Sequence, residues 1–333
     1  MTTKSVVVIG GGTGTFTVLR GLKKYAPELK ITAIISMTDS GGSTGRLRDE
    51  FGQLPVGDVR MALAALSRSN DDHEELLREL FLYRFKKGEG LSGHNLGNLF
   101  LTALTDILGS EADAVKAASR LLRIAGTVLP VTADNAHLVA EYDDGLVVEG
   151  EHAIDDPPAN RRGHRIVVLT TKPAAKASAE ALAAIADADL VVLGPGDLYS
   201  SILANIVIDD VPEALAATKA KLLYVSNLME RFGQTTGMSV ADCSEELCSY
   251  IGRCPEYILI NNTPLPEAVV LKYKNEEGVV PVFDDADSIG GTVMRTDLLS
   301  TDLPERQAAD AVKRSLLRHD PDKLATAILG LIE

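Results

Sequence analysis

The segment VVVIGGGTGTF, Val6 to Phe16, constrains the fold more than any other. Four consecutive β-branched residues suit a strand buried on both faces. Three glycines then end it, and the apolar spacing over residues 16–25 predicts a helix immediately afterwards. Gly10, Gly11, Gly12, Thr13 and Gly14 thus form a turn whose backbone N–H groups can approach a ligand with no side chain in the way. The helix end adds roughly half a positive charge, worth about 0.3–1 kcal/mol to an exposed anion and up to about 2 kcal/mol to a partly buried one. A phosphate is the natural occupant. Thr15 stands where a dinucleotide fingerprint needs its third glycine, and no Gly-Lys-Ser/Thr follows, so the turn matches neither that fingerprint nor a P-loop.

The same grammar recurs. Apolar runs at residues 5–9, 31–35, 190–193, 222–225 and 257–260 are each followed by a small polar loop and mostly by helical spacing, which predicts an α/β fold with a Rossmann-like parallel sheet sandwiched by helices. Residues 58–170 read as an elaboration between these strands. Helical patterns cover 61–66, 76–85, 96–108 and 114–124, and a hairpin lies in 137–150 around Asp143, Asp144 and Gly145. With no Pro- or Ser-rich linker, residues 1–333 read as one domain.

Parallel neighbours would bring five loops to one crevice. The second carries Asp39, Gly41 and Gly42; the third carries Gly194, Pro195, Gly196, Tyr199 and Ser200; Asn227 follows the fourth strand and Asn261-Asn262 the fifth. Asp39, between two glycine turns, is the best candidate for catalysis and for metal, if any metal binds. His94 and Asn95, in LSGHNLGNL, are a second candidate pair: His94 as acid, base or phosphate donor, Asn95 as ligand contact or helix cap. Asp58 reads as a cap rather than a catalytic acid. No spacing of the six histidines suggests a metal site, and GxSxG and HExxH are absent.

The formal net charge of −14 excludes nucleic acid and anionic membrane as partners on electrostatic grounds, while leaving a small anion free to bind locally. No apolar run approaches a membrane span. A strand begins after four residues, leaving no room for a leader, so a cytoplasmic address is expected. Cys243, Cys248 and Cys254 then read as reduced, packing thiols.

Taken together, GGGTG, TDSGGSTGRLR, LPVGDVRMAL, LFLYRF, LSGHNLGNL, LVVLGPGDLYSSI, VSNLM and LRHDPDKLA resemble the gluconeogenesis factor family, YvcK-like, within the wider CofD-like fold family, in order and along nearly the whole chain. The resemblance implies a cytoplasmic protein that binds a uridine-diphosphate sugar, UDP-N-acetylglucosamine, with a role in carbon metabolism, cell-wall synthesis and cell shape and with no cofactor required. It also implies that the glycine turns, Asp39, His94, Asn95, residues 194–200 and Asn227 line the ligand crevice, and that Tyr273 and Arg318 serve the sugar nucleotide. A homo-oligomer and a regulatory protein partner are expected. The enzyme branch is similar to 2-phospho-L-lactate transferase, a phospho-group transfer for which Mg2+ would be the metal; Ser40 stands here where a second acid is common in that wider family.

Overall fold

The computed structural model describes residues 3–68, 71–158, 161, 163–301 and 316–332. Seven strands form one parallel sheet: β1 (Lys4–Gly10), β2 (Leu29–Ile35), β3 (Thr127–Pro130), then, after a separate three-stranded sheet of β4 (His137–Tyr142), β5 (Val147–Glu149) and β6 (Ile166–Lys172), β7 (Leu190–Leu193), β8 (Lys221–Val225), β9 (Tyr257–Asn261) and β10 (Thr292–Thr296). The large sheet runs β10-β9-β8-β7-β1-β2-β3 and the small one β5-β4-β6, antiparallel.

β1 shows why the sheet is covered on both sides. Val6 and Val8 pack in one apolar cluster, Val7 and Ile9 in the other, and all four are fully buried. Alternate side chains of a strand point to opposite faces, so an unbroken apolar run needs cover on each. Burying each of them contributes about 1.5–3 kcal/mol. On the Val6 face lie α1 (Gly12–Leu22), α3 (Gly57–Leu66) and the C-terminal helix Pro321–Leu329; on the Val7 face lie the segment Leu198–Leu203, the helix Val240–Ile251 and the small sheet.

The five strands read from the sequence are parallel neighbours, as expected, but β3 and β10 join them. β3 is short, with Thr127 at its start and Pro130 at its end, so it lacks the continuous apolar run that marks a central strand; it sits at the sheet edge, where proline is tolerated. Residues 58–170 therefore supply a core strand as well as an elaboration. That insert holds α3, α4 (Asp72–Leu82), α5 (Leu96–Leu108) and α6 (Glu111–Leu121), and ends in α7 (Glu151–Asp155) beside the hairpin. α5 spans the residues its periodicity gives; the others start earlier than their apolar spacing, because the first turn is chosen by caps and charge. Asp71 caps α4, accepting from the Glu74 N–H at 2.8 Å, and Ser110 caps α6.

One expectation about the cysteines is overturned. Cys248 and Cys254 form a disulfide, while Cys243 is free and buried. Gly252, at φ 74°, ends the helix Val240–Ile251 in the left-handed region and turns the chain back, so Cys254 meets the last helical turn.

Candidate functional site

β1 is the switch point. From it the chain builds β2 and β3 on one side and β7 to β10 on the other, and in such a sheet the crevice beyond the carboxyl ends of the two central strands is the place where loops part. Three turns meet there. Gly11 precedes α1, Gly41 precedes α2 (Gly42–Phe51) and Asp197 precedes Leu198–Leu203, and none of the three gives a side-chain cap to the element it starts. Three sets of first-turn amides are therefore left to other acceptors.

Close approach explains two of the glycines. A side chain at Gly14 would strike the Pro195 carbonyl, so α1 and the third turn touch backbone to backbone; one at Gly11 would strike the Asp58 carboxylate. Asn227 then fixes the third turn, accepting from the Gly196 N–H at 3.0 Å and donating to the Gly196 carbonyl at 2.8 Å. Asn205 holds the first, donating to the Gly10 carbonyl at 3.2 Å.

Facing these amides is a bank of acids. Asp39 accepts from the Gly41 N–H at 2.8 Å and from the Thr44 hydroxyl. Asp58, in the first turn of α3, accepts from the Gly12 N–H. Asn98 donates to Thr44 Oγ1 at 3.3 Å and accepts from Arg60 Nε at 2.8 Å, which sets the Arg60 guanidinium near both aspartates. Burial raises Asp39; burial and then the charge of Asp39 push Asp58 up to about 7. Both cost energy to ionise together.

Glu151 and Asp155, missed from the sequence, join this bank through α7. The Ser40 N–H donates to Glu151 at 3.4 Å, and the His152 N–H donates to Ser40 Oγ at 2.9 Å, which ties α7 to the turn after β2. At its other end Asp155 pairs with Arg231 at 2.6 Å and accepts from Gln234 at 3.2 Å and from Ser200 at 3.4 Å. Gln234 Oε1 in turn accepts from the Tyr199 and Ser200 N–H groups, so those first-turn amides are spent inside the protein. α7 therefore straps the crevice from the β2 loop to the β7 loop. Burial, then Asp39, raises Glu151 well above the usual carboxylate range, and burial pushes Asp197 up to about 6. A lone Gly150-Glu151 after a hairpin carries no sequence signal for this; only the packing of the small sheet on the large one does.

Several predicted residues are brought to the crevice in other roles. Asn95 caps α5, accepting from the Gly97 and Asn98 N–H groups at 2.9 and 3.3 Å and donating to the Leu82 carbonyl at 3.0 Å, so its side chain is spent on structure. His94 lies buried with Nδ1 3.1 Å from Ser43 Oγ, and burial lowers its pKa, which keeps the ring neutral. Tyr199 corrects its expectation as a ligand side chain: the ring is in the core and its hydroxyl donates to Glu246 at 2.9 Å, because the turn Leu198–Leu203 points it at the helix Val240–Ile251. Asn261 and Asn262 bond to their own loop and the β10 end.

Tyr273 is buried in a small cluster with Leu228 and Leu317, and its hydroxyl accepts from the Leu316 N–H at 2.6 Å, which brings it beside the chain leading to Arg318 and beyond the end of β8. Among the described residues Asp39 belongs to no convergent set of three or more metal donors. Among the described residues the one such set is Asp143, Asp144 and His164 on the hairpin, where Arg161 already pairs with Asp144 at 2.9 Å.

The comparisons agree with this architecture. Residues 6–299 match the family described as 2-phospho-L-lactate transferase CofD. The gluconeogenesis factor of Halalkalibacterium halodurans is 38% identical over 333 residues, covering 99% of this chain and 97% of that one, and that of Bacillus subtilis is 37% identical, covering 98% of each. A solved structure of a UPF0052-family protein from Bacillus halodurans superposes with a TM-score of 0.87 at 36% identity, covering 99% of both chains. Matched by the family over residues 6–299 and sharing nearly its whole length with these relatives, the chain belongs to the CofD family.

Proposed function

We propose that the protein is a cytoplasmic UDP-sugar-binding regulator, with UDP-N-acetylglucosamine as its ligand and a role in carbon metabolism, cell-wall synthesis and cell shape. The observation that carries the reading is the pair of uncapped glycine helix starts, Gly11–Gly12 and Gly41–Gly42, beside the clamped Gly196 turn at the switch point. A diphosphate is the ligand whose charge and size such amides serve. Asp39 and Asp58 oppose it on the other wall, so binding draws protons onto these carboxylates. Occupancy shifts the strap α7, and with it the surface offered to a regulatory partner. The names of the relatives, gluconeogenesis factors, fit a regulator of carbon flow.

Calorimetric titration with UDP-N-acetylglucosamine tests the reading: saturable heat below about 100 μM, corresponding to about −5.5 kcal/mol, is the expected outcome. No heat at high micromolar ligand, with folded protein, contradicts it.

The pairing of Asp39 with Asp58 beside the cradle favours a second reading, a metal-dependent phospho-group transfer from a nucleotide-diphosphate donor. Mg2+ keeps several waters and binds through one or two carboxylates plus substrate phosphates, so these two aspartates suit it when the diphosphate is present. Bound there, it would neutralise charge on the phosphoryl group. The signs of the pH dependence differ. Without metal, affinity falls as pH rises and protons leave the acids; with Mg2+ competing against those protons, it rises.

A further inference from the structure

Gly41 is the one glycine of the first two turns that the fold does not need. Side chains at Gly10, Gly11, Gly14 and Gly45 would strike the Thr15 side chain, the Asp58 carboxylate, the Pro195 carbonyl and the Ser40 carbonyl respectively, and Gly12 and Gly42 hold positive φ. Gly41, at φ −93° and ψ 156°, has an extended backbone that any residue adopts. Its Cβ would meet only ordinary contacts, 3.5 Å from Asp39 Oδ1 and 3.5 Å from His152 Nδ1. Neither conformation nor packing asks for glycine there. What a side chain would fill is the gap between the Asp39 carboxyl and the His152 ring, at the uncapped start of α2.

The strap α7 sets the ring in that place. Gly150, at φ 101°, starts α7 and donates its N–H to the Leu138 carbonyl at 2.8 Å. Ser40 then holds the first turn through Glu151 and the His152 N–H, Ile154 is fully buried in the core, and Arg231 donates to the Asp155 carboxylate at 2.6 Å and to its carbonyl at 3.0 Å. With both ends of α7 tied down, the backbone of His152 is fixed beside Gly41. Its side chain is exposed, and neither ring nitrogen has a hydrogen-bond partner among the described residues. The other donor side chains about this helix start are engaged: the Thr44 hydroxyl with Asp39, the Ser43 hydroxyl against His94 and the Asn95 N–H, and Arg46 with the Ser92 carbonyl at 3.4 Å. A neutral imidazole carries one N–H and a protonated one carries two, so the ring offers an anion a donor in either state.

We propose that His152 is a ligand-contacting residue: its ring donates to the phosphate held by the first-turn amides of α2, and that phosphate occupies the space kept open at Gly41. The inference rests on the reading of the crevice as a diphosphate site. It gives occupancy a direct route to α7, because a ligand bonded to the ring favours the position of the strap in which that bond is made.

NMR and calorimetry on the full chain, in Mg2+-free buffer at fixed pH, test it. The histidine ring signals are followed during titration with sodium diphosphate and, separately, with UDP-N-acetylglucosamine, the His152 signal being the one that His152→Ala removes. Saturable movement of that signal is expected with both probes. His152→Ala should weaken binding of each at least about tenfold, the worth of one hydrogen bond to a charged group. His152→Gln, which restores an N–H donor, should recover most of that loss. Gly41→Ala, whose methyl the backbone admits and the gap would take, should weaken binding as much with an unchanged thermal melt. A His152 signal that stays still while UDP-N-acetylglucosamine saturates the chain, or a His152→Ala affinity within about twofold of wild type, overturns the inference and leaves the reading of the site intact. Movement with diphosphate and no binding of the UDP-sugar overturns that reading and leaves the inference. Silence with both probes overturns both.

Discussion

The two walls of the crevice are built on opposite principles. One presents main-chain amides of the β1 and β2 turns, with the clamped Gly196 turn beside them, and almost no side chain; the other presents Asp39, Asp58 and, from the two ends of α7, Glu151 and Asp155, brought from three separate places in the chain. The first wall favours an anion. The second disfavours one until it is protonated or bridged. The difference teaches that affinity in this site is set by the proton or cation content of the acid wall as much as by the cradle, since neighbouring like charges raise one another's pKa and a bound diphosphate adds to them.

The largest effect should come from breaking the contact between the walls' supports. Gly14→Val drives a branched side chain into the Pro195 carbonyl, and such overpacking typically costs about 1–3 kcal/mol, more where backbone must move; a lower urea midpoint together with lost UDP-sugar heat is expected. Wild-type stability would mean that α1 and the third turn do not touch.

Asp58→Asn sharpens the comparison in the other direction. The folded pKa of Asp58 is raised from 3.8 to about 7. Its favourable contribution is therefore complete below pH 4 and is lost as pH rises through about 7. Removing the charge stabilises the protein at pH 8 by about 1–3 kcal/mol, with little change at pH 4. Thermal melts at the two pH values read this directly, and equal shifts at both would contradict it.

The ligand supplies the next test. In metal-free buffer, UDP-N-acetylglucosamine affinity should weaken by up to about tenfold per pH unit between pH 6.5 and 8, the limit for uptake of one proton. Titration in two buffers of different ionisation enthalpy counts that proton. A pH-independent affinity would separate the acid wall from binding.

A smaller loss is expected for Asn227→Ala, which leaves both Gly196 groups without their clamp. Two hydrogen bonds of about 0.5–1.5 kcal/mol each are at stake, so a stability loss of about 1–3 kcal/mol and a several-fold fall in affinity are expected. His94→Gln should matter least, changing affinity less than threefold, because the buried neutral ring serves Ser43 rather than a proton transfer.

The same contrast explains what was legible in the sequence. The amide wall is local: strand, turn and helix follow one another from Val6 onward, with β1 one residue longer at each end than its apolar run and α1 running Gly12–Leu22 rather than 16–25. The acid wall is tertiary. Asp39 was visible because it lies between glycines, but Glu151 and Asp155 reach the crevice only through the packing of the small sheet, and Asp58 looked like a helix cap because its partner, the Gly12 N–H, is 46 positions earlier in the chain. Tyr199 misled for a related reason. Its neighbours Gly196 and Ser200 belong to the crevice, while the wide turn Leu198–Leu203 sends its ring into the core. Edge strand β3 was hidden by its brevity and by Pro130.

The account rests on the amides of the first turn. Crystals of the protein soaked with UDP-N-acetylglucosamine should show the diphosphate within hydrogen-bonding distance of the backbone between Gly12 and Gly14, facing Asp58. Density for the nucleotide away from the end of β1, with those N–H groups untouched, would contradict it.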